Sequence, residues 1–511
     1  MKTLLIASAV YASTVFAQDT GKCAANPPLG DISAKPSWNG WGNGPANARY
    51  QGPGAQLDPA QVPNLKLKWA FGFPGAKSVS GQPSVVGGRV FVGSESTVYS
   101  IDAEKGCLYW SFIAPAPVRS AVSVGPSKAG NEYLAFFGDQ KGAAYAVNAQ
   151  TGQLVWKTQV ESHPAARITG APSLYFDKLY IPVASAEEPL AVDPAYQCCT
   201  FRGSVVALDA YTGKQVWKTY TIADVPKANG KNAKGTPRFT PSGGGVWNSP
   251  TLDPKRRAIY IGTGDAYTQP AAKTTDSIMA LDMDTGRILW SVQDTQNDAW
   301  VVSCIEGRGT KENCPENAGP DFDFGSSPML RTLADGRTVV IAGQKSGVVW
   351  AHDVDHKGAV VWKTSVVTKA PGPQGQISFG GSADDRMTYF GLNSGGVVAL
   401  LLSNGERKWF TPMDPAQGRS GGQDAAVSVI PGVLFSGGWD GVLRALSTTD
   451  GKVVWQFDML RNFDTVNKVT AKGGSLGSAG PTIAGGTVFV GSGYPGVQNG
   501  REGNVLLAFR P

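Results

Sequence analysis

Short apolar strands alternate with polar turns over almost the whole chain, and the alternation is itself periodic. Each unit has a strand of small and apolar residues, a turn ending in Gly, and a Trp four residues further on. The pattern reads VYSIDAEKGCLYW to Trp110, AYAVNAQTGQLVW to Trp156, VVALDAYTGKQVW to Trp217 and IMALDMDTGRILW to Trp290. It continues as VWAHDVDHKGAVVW to Trp362, with one extra residue, then VVALLLSNGERKW to Trp409 and LRALSTTDGKVVW to Trp455. Most copies follow another strand of the type GRVFVGS or AIYIGTG. Alternating strands joined by Asp/Thr-Gly turns predict hairpins. Self-similarity at about 45 residues or more predicts a propeller of four-stranded blades.

Seven copies are complete and an eighth is split. LKLKWAF, with Trp69, lies near the start, and TVFVGSG and NVLLAFR lie at the end. Joining the two termini completes an eighth blade, closes the ring and removes free sheet edges. The fold class is therefore all-β, one eight-bladed propeller over residues 61–511, preceded by an extension over 18–60. The repeated Trp residues are expected to pack between neighbouring blades. Longer spacings between Trp156 and Trp362 place insertions in the middle blades, on one face of the ring.

Composition adds three constraints. Charge is low (17%) and the formal balance of +6 is spread along the chain, without a Lys/Arg cluster interleaved with aromatics. Nucleic-acid binding is therefore not expected. MKTLLIASAVYASTVFA has the charged start, apolar run and small-residue end of a secretory leader, with cleavage expected after Ala17. No later apolar run approaches the ~20 residues needed to span a bilayer. The expected location is secreted or periplasmic, where disulfides persist. Of the 6 Cys, Cys304 and Cys314 bracket a short loop and are expected to bridge. Elimination alone points to Cys23 with Cys107, among the 15 connectivities that six cysteines allow. Cys198 and Cys199 are adjacent, and the residues alone leave open a bridge to each other, to distant partners, or none.

WNGWGNGPANARYQ from Trp38, ITGAP from Ile168, SAEE from Ser185, CCTFRGSVVALDA from Cys198 and GPDFDFGSSP from Gly319 give the chain a specific likeness. It resembles the quinoprotein alcohol dehydrogenases, which carry pyrroloquinoline quinone (PQQ) at the centre of an eight-bladed propeller, and within them the polyvinyl-alcohol dehydrogenase-like proteins. The resemblance implies an alcohol substrate, secondary or polymeric, PQQ with Ca²⁺, and an external electron acceptor such as a cytochrome c, since no CxxCH occurs.

PQQ is a flat polyanionic ortho-quinone. It needs apolar faces, cations for its carboxylates, a Lewis acid at its reactive carbonyl and a nearby base. The resemblance assigns Trp247, after three glycines, to the floor under the quinone. It makes Glu187 and Asp265 the metal ligands, with Glu188 a weaker candidate. Relatives commonly have Asn at Asp265, which leaves the identity of the ion open. Asp298, in NDAW, is assigned as the catalytic base, although Val301 stands where many relatives have a second Asp. Lys345 is the cation at the quinone oxygens. Arg119 and Thr169 are assigned to the cofactor carboxylates, Gln82 to a further cofactor contact and Trp439 to the channel wall. A Cys198–Cys199 bridge, with Arg202 beside it, is expected to form or border the ceiling opposite Trp247, although relatives carry such a pair in an earlier segment. His163, His352 and His356 form no metal-binding pattern. Two rival readings are a non-catalytic propeller of the same repeat, acting as scaffold or binding module, and a sugar-oxidising quinoprotein.

Overall fold

The computed structural model describes residues 21–367, 376–413, 419–496 and 500–511. The expected leader lies outside the described residues. Eight four-stranded antiparallel sheets form the blades of a propeller. Blade 1 comprises Ser84–Val86, Arg89–Ser94, Thr97–Asp102 and Leu108–Ile113, from the axis outward. Blade 3 carries an additional short strand, Ala166–Arg167, on its Lys178–Ser185 strand. The ring closes as expected. In blade 8 the outermost strand is Lys66–Gly72, paired antiparallel with the C-terminal Val505–Arg510.

The burial pattern explains the sequence pattern. Second strands such as Arg89–Ser94 lie between two neighbouring blades and are buried at every position, so they read as continuous apolar runs. In the outermost Leu154–Gln159, the Trp156 position is the one buried residue. That ring leaves its own blade. The Trp156 indole N–H donates to the Ala210 carbonyl of blade 3 at 2.9 Å. The Trp110, Trp217, Trp362 and Trp409 indoles donate likewise to Ala149, Met283, Leu402 and Thr448 of the next blade.

Each ring covers the turn glycine of that next blade. Gly213 has φ +71°, the left-handed conformation the turn requires, and a Cβ there would lie 2.7 Å from the Trp156 ring. The same crowding holds for Gly106 against Trp69, Gly152 against Trp110 and Gly286 against Trp217. Blade 8 has no such turn, because its third and fourth strands come from opposite chain ends. Trp455 of blade 7 donates instead to the Leu65 carbonyl at 3.0 Å, just before the closing strand.

The extension closes one end of the ring. Residues 38–51 run across the axis and pair with innermost strands in turn. Trp38 exchanges backbone bonds with Val85 of blade 1. The Asn39 side chain meets Val124 of blade 2. The carbonyls of Pro45, Ala46, Ala48 and Arg49 accept from Leu252, Leu330, Ala383 and Val429 of blades 4 to 7. Gln51 reaches Ile483 of blade 8. Buried backbone groups facing the axis are thereby satisfied. Arg49 locks the segment. Its guanidinium donates to the Val427 and Trp41 carbonyls and to Ser428, packs over the Trp41 ring, and is lowered to about 9 by burial. Cys23–Cys107 ties the extension to blade 1, and Cys304–Cys314 closes a loop after blade 4.

Gly213→Ala should test the docking between blades. Left-handed strain and the collision with Trp156 should together cost on the order of 2–4 kcal/mol, read as a lower midpoint in denaturant. An unchanged midpoint would mean that the ring does not hold the turn.

Candidate active site

The cavity at the other end of the axis is built from loops entering the innermost strands and leaving the second ones. It has a volume of about 350 Å³, within the range of small-molecule sites. Trp247 lies just before the inner strand of blade 4, Thr251–Asp253, and lines the cavity. Its ring rests on Gly325, where a Cβ would come within 1.9 Å of the indole, so only glycine admits this flat floor. The glycines before Trp247 allow a second close approach. Gly243 has φ +107°, and a Cβ there would lie 2.5 Å from the Asp265 carbonyl.

Three carboxylates converge at the edge of this floor. Glu188 comes from the one-turn helix Glu187–Leu190 after the second strand of blade 3. Asp265 follows the second strand of blade 4. Asp323 lies in the loop leading into blade 5. One oxygen from each lies within 4.8 Å of the others. Asp323 is tightly held. It accepts from the Asp265 backbone N–H at 2.6 Å, the Trp247 indole at 3.2 Å and the Lys345 ammonium at 2.9 Å. Asp265 is fully buried, and neither of its carboxylate oxygens has a hydrogen-bond partner.

Charge repulsion shows in the protonation. Burial, then Asp323 and Glu188, push the Asp265 carboxyl well above its ordinary range. Burial and Asp323 raise Glu188 to about 7. Asp321 also rises well above its range, through burial, although Lys345 opposes the shift. Burial pulls the Lys345 ammonium down, but Asp321 and Asp323 outweigh it and hold it well above its ordinary value. Lys345 sits in the turn after the second strand of blade 5, donating to Asp321 at 2.6 Å. One ammonium does not balance these acids, and bare buried carboxylate oxygens are the hard donor set that a divalent cation completes.

The remaining wall is cationic and aromatic. Arg119, Arg167 and Thr169 line it, with the Thr169 hydroxyl buried and unpartnered. The Arg119 guanidinium lies over the Phe379 and Tyr494 rings at 5.2 and 5.6 Å. Phe379 meets Trp247 edge to face, with centroids 5.9 Å apart. Cations, a flat floor, an unpartnered hydroxyl and the bare Asp265 carboxylate together fit a flat polyanion bound beside a metal ion.

The structure brings together Trp247, Asp265, Lys345, Arg119 and Thr169, and replaces or displaces the other expected residues. Glu187 does not face the cavity. Its carboxylate accepts the Thr200 and Phe201 backbone N–H groups at 2.8 and 2.9 Å and the Tyr196 hydroxyl, anchoring the loop after the cysteines. Its neighbour Glu188 is the one that reaches the trio. Asp298 is also turned away, with its carboxylate capping the Asp321 and Phe322 N–H groups at 3.1 and 2.8 Å. Gln82 is fully buried and accepts from Arg49 and Gly480, so it fastens the axial segment. Trp439 donates to Asn393 and stands beside Tyr494 rather than in the cavity lining. Arg202 donates to Ile222 and Ala223 and stacks over Tyr220 at 3.8 Å, outside the site.

Cys198 and Cys199 do form a disulfide with each other, across a cis peptide. The pair is buried in the core of blade 3 with Phe201 and Tyr267. Cys198 borders an adjacent cavity, which shares Tyr267 with the central one. The sulfurs therefore do not line the central cavity facing Trp247. Asp323 and Asp424 line the cavity and were not singled out from the sequence. Asp323 lies within the motif GPDFDFGSSP, whereas nothing around Asp424 marks it.

Acids raised by burial fix the sign of a pH effect. Asp265 has an ordinary value of 3.8 and a higher one when folded, so the fold loses stability as pH rises above about 4 towards that higher value. The metal-free protein should melt lower at pH 8 than at pH 5. Ca²⁺ should raise the melting temperature more at pH 8, stabilising by about 2.7 kcal/mol at a hundredfold excess over Kd. Asp265→Asn should reduce both effects. Equal Ca²⁺ stabilisation of wild type and variant would exclude Asp265 as a ligand.

Comparison with known proteins agrees with this chemistry. The profile of the glucose/ethanol/alcohol dehydrogenase β-propeller domain of the PQQ type matches residues 38–302, just over half of the chain. A second profile, for the outer-membrane assembly factor BamB, matches residues 199–435. The chain is 42% identical to a polyvinylalcohol dehydrogenase from Pseudomonas sp., covering 96% of this chain and 79% of the relative. It is 39% identical to another from Sphingopyxis sp., with the same coverage. The crystal structure of the quinohemoprotein alcohol dehydrogenase from Comamonas testosteroni superposes with a TM-score of 0.69 at 19% identity, over 93% of this chain and 80% of that one. The chain belongs to the PQQ-dependent alcohol dehydrogenase family.

Proposed function

We propose that the protein is an exported dehydrogenase that oxidises secondary alcohols, including polymeric ones, and passes the electrons to an external acceptor such as a cytochrome c. The observation that carries this reading is Asp265, a fully buried carboxylate without a donor on either oxygen, beside the flat floor of Trp247. A scaffold propeller gains nothing from bringing three acids together, whereas a metal-assisted oxidation needs them. The substrate class follows the relatives with 42% and 39% identity. Three disulfides fit an oxidising compartment outside the cytoplasm. No helix among the described residues is long and apolar enough to cross a membrane.

Glu188 and Asp265 would hold the divalent ion, Trp247 would support the ring system, and Arg119, Arg167 and Thr169 would meet its carboxylates. Bound PQQ supplies the acceptor for the hydride. Asp323, rather than Asp298, takes the hydroxyl proton, because it lines the cavity and its carboxylate is oriented by Trp247, Lys345 and the Asp265 amide. Lys345 places a positive charge where an oxyanion develops. Asp298 shapes the loop that carries Asp321 and Asp323.

The apoprotein, given PQQ and Ca²⁺, should reduce a dye with small secondary alcohols and polyvinyl alcohol but not with aldoses. Failure to bind PQQ would end the reading, and turnover of aldoses alone would favour the sugar-oxidising alternative. Asp323→Asn should lower kcat by roughly 10²–10⁴-fold and keep PQQ bound. If Asp323→Asn turns over normally, the proton acceptor is elsewhere.

A further inference from the structure

One acid of the cavity has no part in the scheme above. Asp424 lies just before the inner strand of blade 7, Ser428–Ile430, and lines the cavity apart from the acidic trio. Its residue is 6% exposed, and its buried Oδ1 has no hydrogen-bond partner. The cations that act on it electrostatically, Lys345 and Arg119, are engaged elsewhere: Lys345 with Asp321 and Asp323, Arg119 over two aromatic rings. Ser378 hydrogen-bonds the carboxyl, and the unpartnered Oδ1 is left to meet a ligand.

The nature of the ligand decides which form of the carboxyl is useful. PQQ presents carboxylates and quinone carbonyls, which accept hydrogen bonds. An ionised carboxylate opposite them is an acceptor facing acceptors, and repels. A carboxylic acid donates. We propose that Asp424 is a cofactor-contacting residue whose carboxyl donates a hydrogen bond to an oxygen of the bound quinone, on the wall shared with Lys345 and Arg119. The assignment rests on the functional reading above and extends it to a residue outside the metal and base set.

Protonation is consistent with this geometry. Burial lifts the Asp424 carboxyl to about 7, although Ser378, Lys345 and Arg119 each work against the shift. The other titratable groups of the cavity are Arg167, Glu188, Tyr267, Asp323 and Tyr494. Below this pH the acid can donate. Above it the group becomes a buried negative charge beside a polyanion.

Equilibrium binding of PQQ to the Ca²⁺-loaded protein, followed by quenching of Trp fluorescence, tests the proposal without turnover. A single group titrating near 7 should weaken PQQ binding about tenfold between pH 6 and pH 8. Asp424→Asn keeps a donor in the same shape, so it should bind PQQ comparably at pH 6 and lose this tenfold component. Ser378→Ala, which removes a hydrogen bond favouring the ionised form, should move the wild-type inflection to higher pH. Parallel pH profiles for wild type and Asp424→Asn would overturn the assignment and leave the alcohol dehydrogenase reading intact. So would unchanged PQQ binding with a raised KM for the alcohol, which would place the carboxyl against the substrate. Absence of PQQ binding by the wild type at any pH would overturn the functional reading and this one with it.

Discussion

An indole ring lying on the turn glycine of the next blade is the contact from which the rest of this molecule follows. It links two local requirements. The turn needs a residue with a left-handed backbone, and the ring needs a surface without a Cβ. Glycine meets both at one position, so each hairpin turn is also a docking site. The indole N–H finds a carbonyl beside that turn, so the polar edge of the ring is satisfied as its face is buried. The contact repeats round the ring, and at the joint between blades 7 and 8, which lacks a turn glycine, Trp455 bonds the Leu65 carbonyl instead.

A ring built this way can hold groups that repel one another. Trp247 and Asp265 come from blade 4, Asp323 and Lys345 from blade 5, Glu188 from blade 3 and Arg119 from blade 2, so four separate sheets fix them. Their mutual repulsion acts against the whole ring and not against one flexible loop. The acids can therefore be forced together and kept dry, with protonation absorbing the strain until a cation arrives. Gly243 and Gly325 are the local counterpart, since they let backbone and ring pass where a Cβ would collide.

The fold was legible because its signals are local. Turn chemistry, strand alternation and the Trp lie within a dozen residues of one another and recur, and the split eighth unit showed by its missing half. The axial segment, residues 38–51, was quoted as a motif but its role was hidden, because pairing with seven blades leaves no local pattern. The site was half legible. Trp247, Asp265 and Lys345 stand at strand ends or after glycines, where direction is constrained. Glu187 and Glu188 are neighbours on one helical turn, so their side chains diverge and sequence cannot say which faces inward. Asp298 and Asp323 both precede blade 5, and only the path of the loop decides which carboxylate caps amides and which enters the cavity. The cysteine pair was correctly joined but misplaced, because a buried loop anchor and a cavity wall use the same apolar residues.

The axial segment gives the molecule one open end. A propeller is in principle a tunnel, and here it is a blind shaft. Whatever enters last must leave first. A ligand seated on Trp247 is sealed in by anything that arrives after it, and a long chain cannot thread through the ring. A polymeric alcohol, the substrate class proposed above, would have to dip an end or a bend into the mouth and back out the way it came.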